Sequence, residues 1–179
     1  GKDLWGVPFD KPLCGRAGTV DFFANGKLQI LFCAGDKLYL IDRLGRYVKG
    51  FPLTLDKEAL LGPDIYDFNG TRKYNVMVLH KDNTVQMYNL KGQKPASWKG
   101  INAAETIKNL PERLVVGGST FWVVRTSIQT LIYPFYGGEP LTAFTGNQMI
   151  RPDSQIRAVD GTTVEFTCYD GKVRTAALK

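Results

Sequence analysis

Thr19-Val20-Asp21-Phe22-Phe23-Ala24-Asn25-Gly26-Lys27-Leu28-Gln29-Ile30-Leu31-Phe32-Cys33-Ala34-Gly35-Asp36-Lys37-Leu38-Tyr39-Leu40-Ile41-Asp42 is the stretch whose reading decides the fold. Asn25-Gly26 lies between two apolar runs, and Asn-Gly accepts positive backbone angles at little cost, so the pair predicts a tight hairpin. Gly35-Asp36 predicts a second one about ten residues later. Strands are expected at 19–24, 28–33, 37–42 and 47–51, that is, hairpins in series.

The same grammar returns at a step of about 43 to 47 residues, a period that signals an array of supersecondary units. Asn69-Gly70, Gly117-Gly118 and Asp160-Gly161 stand where Asn25-Gly26 stands, and Asp82-Asn83, Ser127-Ile128 and Asp170-Gly171 stand where Gly35-Asp36 does. Ser127-Ile128 is a poor turn pair, so the third unit is the least regular. Strands are expected at 65–68, 74–80, 84–89 and 95–100 in the second unit, and at 113–116, 120–126, 129–133 and 140–144 in the third. The fourth unit supplies 155–159, 163–168 and 172–176 and then stops. Four short strands per unit predict an all-β, propeller-type array of about four four-stranded antiparallel blades in one domain, with units near 19–51, 65–100, 113–144 and 155–176. The array reads as a small closed ring or as a segment of a larger propeller. Residues 4–9, Leu4-Trp5-Gly6-Val7-Pro8-Phe9, resemble residues 47–52 and 98–101 and are a candidate closing strand for the fourth unit, which would remove two exposed sheet edges; the rival reading is that Trp5 finishes a preceding blade.

Alternation supports the strands. Polar and apolar residues interchange in Thr163-Val164-Glu165-Phe166-Thr167-Cys168 and in Thr84-Val85-Gln86-Met87-Tyr88. Val76-Met77-Val78-Leu79 and Phe121-Trp122-Val123-Val124 are apolar throughout, which predicts central strands covered on both faces. Short helical turns are expected only in the connectors, at 102–105, which has the shape of a capping box, and at 56–61.

The composition fits this picture. Hydrophobic residues make up 44% and charged residues 22%, which argues against disorder. The longest apolar runs are strand-sized, far short of the roughly 20 residues a membrane helix needs. Formal charge is +6, spread along the chain, so no nucleic-acid stripe is expected, and Lys91, Lys94 and Lys99 read as charges that blunt an outer edge, with a phosphate-binding patch as the alternative. Cys14, Cys33 and Cys168 lack metal-like spacing, and Cys33 and Cys168 read as small buried hydrophobes. No signal peptide opens the chain, and its start at Gly1-Lys2-Asp3 reads as that of a piece of something longer.

Candidate sites are few. His80 is the only histidine and reads as a strand-end residue bonded to backbone. Asp36, Asp82, Asp160 and Asp170 stand singly, which fits turn caps rather than calcium loops. Gly117-Gly118-Ser119 and Tyr136-Gly137-Gly138 lead into no helix and read as hairpin turns rather than phosphate loops. Tyr133, Phe135 and Tyr136, around Pro134, are explained poorly by hairpin chemistry; they read first as packing between blades, and, exposed, they would offer a flat apolar surface for a peptide or glycan.

The run from Lys37-Leu38-Tyr39-Leu40-Ile41-Asp42 through Gly45 to Lys49-Gly50-Phe51-Pro52 resembles the repeat of quinoprotein-like β-propellers (the PQQ-repeat type), in which an apolar strand ends in Asp, passes a Gly turn and finishes at Trp or Gly. Residues 85–98 are similar, with Asn89 in place of the Asp and Trp98 at the end. The stretch from Leu40 to Pro52 also looks like one found in large uncharacterised envelope proteins of Bacteroidetes. The resemblance implies a propeller, and its members include quinone-dependent dehydrogenases and scaffolding lipoproteins of outer-membrane assembly. No residue here carries over as a quinone or calcium ligand, and no catalytic, cofactor or metal site is expected. The expected role is a non-catalytic binding or scaffolding module of a bacterial envelope or periplasmic protein, with a protein or glycan partner; the alternative is a fragment of a larger quinoprotein-like enzyme whose cofactor site missing blades complete.

Overall fold

A computed structural model describes residues 5–178. The chain forms two compact units, Gly1–Ala96 and Ser97–Lys179. In the first, β1 (Gly18–Val20), β2 (Gln29–Ala34), β3 (Lys37–Ile41) and β4 (Leu53–Thr54) pair consecutively as an antiparallel meander. β5 (Ala59–Tyr66), β6 (Asn75–His80) and β7 (Thr84–Asn89) follow in the same manner. The second unit opens with β8 (Ile101–Asn102) and holds a meander of β9 (Glu112–Val116), β10 (Ser119–Arg125), β11 (Gln129–Pro134) and β12 (Thr142–Thr145). A three-stranded sheet of β13 (Arg157–Ala158), β14 (Thr163–Thr167) and β15 (Val173–Ala177) ends it.

Within each unit the two meanders share one apolar core. Val20, Leu31, Cys33, Leu38 and Leu40 of the first sheet pack with Ala59, Val76, Val78 and Tyr88 of the second. In the second unit Leu114, Phe121, Val123 and Ile132 pack with Ile150, Val164, Phe166, Cys168 and Leu178. β6 is buried along five of its six residues, whereas β14 alternates buried and half-buried positions, as their sequence patterns predict. The three cysteines are free thiols; Cys33 and Cys168 are fully buried, and burial pushes the Cys33 thiol up to about 12.

The outermost strands, the connectors and the two Asn-Gly turns differ from expectation. β1 stops at Val20 and β5 at Tyr66, so Asn25-Gly26 and Asn69-Gly70 lie in loops 21–28 and 67–74, not in tight hairpins, because the Asp21 and Asp67 carboxylates draw the loop amides onto themselves, and 95–100 forms no strand beyond an isolated bridge at Gly100. Tyr47 makes only an isolated bridge with Ile41, and the Phe51 amide donates back to the Val48 carbonyl at 3.0 Å, so 47–51 turns and the ladder resumes at Leu53–Thr54. Residues 56–61 form no helix: β5 starts at Ala59, whose amide donates to the Gly35 carbonyl at 2.8 Å, because that carbonyl and pairing with β6 together offer this segment more than a lone helical turn does. Residues 103–105 are likewise not helical, and among the described residues the only helix is one 3-10 turn, Gly146–Gln148. No helix is long and apolar enough to cross a membrane. Of the candidate closing strand, Leu4 lies outside the described residues and 5–9 form no strand. Phe9 instead meets Phe32 and Tyr39 edge-on, each at 5.0 Å between ring centroids, and the Trp5 indole donates to the Arg43 carbonyl at 3.0 Å.

His80 ties a connector to the second sheet. Because a carbonyl only accepts, Nδ1–H donates to the Lys57 carbonyl (2.8 Å), which leaves Nε2 to accept from the Tyr88 hydroxyl (3.0 Å), and that hydroxyl in turn accepts from the Asp56 amide (3.4 Å). This pattern is that of the neutral ring, which burial favours. Burial lowers its pKa below the usual 6.5 and outweighs the nearby Asp82 and Asp56 carboxylates, which pull the other way. The β9–β10 turn is equally constrained. Gly117 and Gly118 are both left-handed (φ +55° and +76°), and a Cβ on Gly117 would lie 2.1 Å from the Gly161 carbonyl oxygen of the β13–β14 turn, whereas Gly118 faces open space.

Two outcomes are expected. Gly118→Ala costs about 1 kcal/mol in urea unfolding and Gly117→Ala about 3 kcal/mol or more, since only the latter adds a backbone collision to the left-handed strain. The unfolded chain takes up the His80 proton more readily than the folded one, so stability is whole above about pH 6.5 and declines as pH falls below it; equilibrium unfolding shows this slope, and His80→Gln removes it.

Candidate functional site

Pro134 ends β11 because it has no amide to donate, and the chain turns through Phe135-Tyr136-Gly137-Gly138. The Gly137 amide closes the turn onto the Pro134 carbonyl at 2.9 Å. Gly137 is left-handed (φ +74°), and a Cβ there would sit 2.2 Å from the Gly100 carbonyl oxygen. That contact lets two backbones run side by side: Gly100 and Gly137 form a parallel bridge, the Lys99 amide donates to the Tyr136 carbonyl and the Gly138 amide to the Gly100 carbonyl, each at 2.8 Å. The turn is also held from beneath. Buried Trp122 donates its indole N–H to the Phe135 carbonyl at 2.9 Å and stacks on the Phe135 ring, which meets Tyr136 edge-on at 4.9 Å.

This rigid frame walls a groove of about 740 Å³. Its apolar surface comes from Phe121, Pro134, Phe135, Tyr136, Leu141 and Leu178, and its polar groups are Ser97, Lys99, Ser119 and Thr120. Tyr136 and Leu141 are each 45% exposed, so the groove presents a ring and an isobutyl group to solvent. The Arg113 guanidinium reaches the Thr120 hydroxyl at 3.4 Å.

Of the three aromatic residues singled out in the sequence, Phe135 and Tyr136 line this groove. Tyr133 does not: it is 1% exposed, and its hydroxyl donates to the Asn102 carbonyl at 2.6 Å. Burial raises its phenol pKa. The reason is strand alternation, since Tyr133 pairs with buried Trp122 while Phe121, one step along, pairs with Pro134. Phe121, Leu141 and Lys99 were missed as groove residues because they come from three separate segments; the one local signal was Gly100, a glycine where a second backbone approaches. The turn aspartates Asp82, Asp160 and Asp170 each accept amides two residues on, while Asp36 pairs with Lys37 at 3.6 Å. Among the described residues no group of three or more His, Cys, Asp or Glu side chains is placed to hold a metal ion.

No protein-family model and no curated protein matches the chain. Solved structures do. The computationally designed Ika4 protein aligns with a TM-score of 0.52 at 15% identity, over 100% of this chain and 99% of its own. BamB from Moraxella catarrhalis gives 0.53 at 14% identity over 97% of this chain and 52% of its own, and BBS1N, in complex with ARL6DN, gives 0.54 at 16% identity over 92% and 47%. The chain thus spans about half the length of the BamB and BBS1N chains. Identities this low speak for the fold alone, and together with four antiparallel meanders they show that this chain has a β-propeller-like fold.

Proposed function

We propose that the chain is a non-catalytic, protein-binding module of propeller type, and that the groove at Phe135 and Tyr136 takes an extended segment of a partner protein. The carrying observation is the frame itself: an aromatic turn exposed to solvent yet fixed by a buried indole and by a backbone bridge through two glycines. Such preorganisation spares a binder the entropy of ordering its own surface. Tyr136 is the kind of rigid, amphipathic side chain that dominates interface energetics. Lys99 at the rim adds a preference for a carboxylate beside the apolar anchor of the bound segment. A propeller related in fold, BBS1N, is solved with a protein bound, which supports a protein over a glycan. Placement in a bacterial envelope, as part of a larger propeller or as a small ring, rests on the resemblance of residues 40–52.

Selection of displayed peptides on the immobilised 179-residue chain tests this. Enriched sequences should carry an aromatic or aliphatic residue near Asp or Glu, and Leu141→Asp or Tyr136→Ala should weaken them about tenfold or more, roughly 1.4 kcal/mol. Lys99→Glu should erase the acidic preference. Peptides that bind the variants as well as the parent, or saturable binding to a glycan array alone, would overturn the reading.

A further inference from the structure

A second cavity, of about 480 Å³, lies wholly within the first unit, at the end of the second sheet where β6 begins and β7 finishes. Its size is in the range of small-molecule sites. Three cations line it, Arg72, Lys73 and Lys91, with no carboxylate among the lining residues; the rings of Phe22 and Tyr74 supply the apolar wall, and Asn75 and Asn89 the neutral polar groups.

The arrangement is built rather than incidental. Asp21, 5% exposed, is held by the Asn25 and Gly26 amides at 3.0 Å and by the Arg72 Nε at 3.0 Å. That pairing compensates a buried charge and fixes the guanidinium at the cavity wall while its other N–H groups remain to donate. Arg72 reaches this position from a left-handed backbone (φ +60°) in a turn whose Thr71 and Arg72 amides are both taken by the Asp67 carboxylate. The Tyr74 hydroxyl accepts the Asp21 amide at 3.0 Å, which locks the neighbouring ring.

Lys73 and Lys91 complete the set. Among the described residues neither ammonium meets a carboxylate, and the Asn75 amide is engaged by no other side chain. At the opposite end of the same sheet the lysines are neutralised: Lys81 and Lys11 by Glu58, at 2.9 and 3.2 Å, and Lys57 by Asp82 at 3.9 Å. Arg72 is paired with Asp21, and the Lys73 and Lys91 ammonium groups are left without a carboxylate partner at this end of the sheet, beside a cavity with aromatic walls, where they draw in anions.

The geometry points to a binding site for a small oxyanion, a phosphate or carboxylate, carried on an aromatic or other flat apolar body. The guanidinium fork and the two ammonium groups take the anionic head, and Phe22 and Tyr74 flank the body.

Amide NMR titration of the full chain with phenyl phosphate and with phenylacetate tests the site, with inorganic phosphate and benzyl alcohol as half-ligands. Saturable shifts are expected at residues 72–75 and 89–91, stronger for at least one whole ligand than for either half-ligand; whichever anion saturates at lower concentration identifies the head group. Arg72→Ala would strand Asp21 and cloud the result, so the informative variant is the exposed pair Lys73→Ala with Lys91→Ala, expected to keep the parent's unfolding midpoint and to bind about tenfold more weakly or worse. Shifts that scatter over surface lysines without saturating, or identical titrations of parent and double variant, would overturn the proposal.

Discussion

A strand that is apolar on both faces must be covered twice, and this demand organises each unit. β2 shows both covers. Leu31 and Cys33 enter the core shared with the second sheet, while Phe32, pointing the other way, stacks on its cross-strand partner Tyr39 at 5.2 Å and is closed over by Phe9. A lone meander would leave one of these faces in water, at a cost of roughly 1.5–3 kcal/mol for each large side chain. Sheets of this composition are therefore stable only when stacked, and stacking meanders is what a propeller-like fold does. The same demand explains why residues 5–9 lie over the first sheet without forming a strand: their aromatic side chains, rather than their amides, are what the structure uses.

Turn chemistry sets the spacing between these layers. The Asp42 carboxylate accepts the Leu44 and Arg46 amides at 2.8 and 3.1 Å; Asn89, at the corresponding place one sheet later, accepts the Lys91 and Gln93 amides at 2.9 and 3.0 Å. An acceptor two atoms from the backbone, rather than a negative charge, is what the turn requires. Where charge is present it is used on top: Arg46 sits on Asp42, and Arg174 holds the Asp170 carboxyl far below the usual carboxylate range. These groups lie at the surface, partly exposed, so the pairs mainly fix side-chain direction and add little stability.

That locality decides what the sequence reveals. Hairpins announced by Gly-Gly or Asp-Gly, and central strands such as Val76-Met77-Val78-Leu79, are legible because their signals lie within a few residues of the structure they specify, whereas Asn25-Gly26 and Asn69-Gly70 mark a reversal of the chain but not its tightness, which the Asp21 and Asp67 carboxylates set by gathering the loop amides. The outermost strands are not legible. Tyr47-Val48 has strand composition, yet whether it continues a ladder depends on where the Phe51 amide finds its acceptor. Residues 56–61 looked helical until β6 offered a partner. Tyr133 and Tyr136 are three residues apart and both aromatic; one is interior and one exposed, because alternation holds up to Pro134 and the turn beyond it resets direction. A groove drawn from segments near 97, 120, 135 and 141 has no local signature at all.

The cavities themselves follow from the repeat. The second-unit groove opens where β10 begins and β11 ends, the cationic cavity where β6 begins and β7 ends, and a smaller one of about 300 Å³ where β2 begins and β3 ends, lined by Leu28, Gln29 and Asp42 among others. In three sheets the same corner of the meander is open, because there the central hairpin's strands stop while the flanking turns project beyond them. The backbone supplies the opening in each case, and the turn residues supply its chemistry: Phe135-Tyr136 make one apolar, while Arg72-Lys73 and Lys91 make another cationic. Repetition fixes the place and leaves the side chains free to differ, so a chain built from near-copies of one unit can present unlike surfaces at equivalent positions.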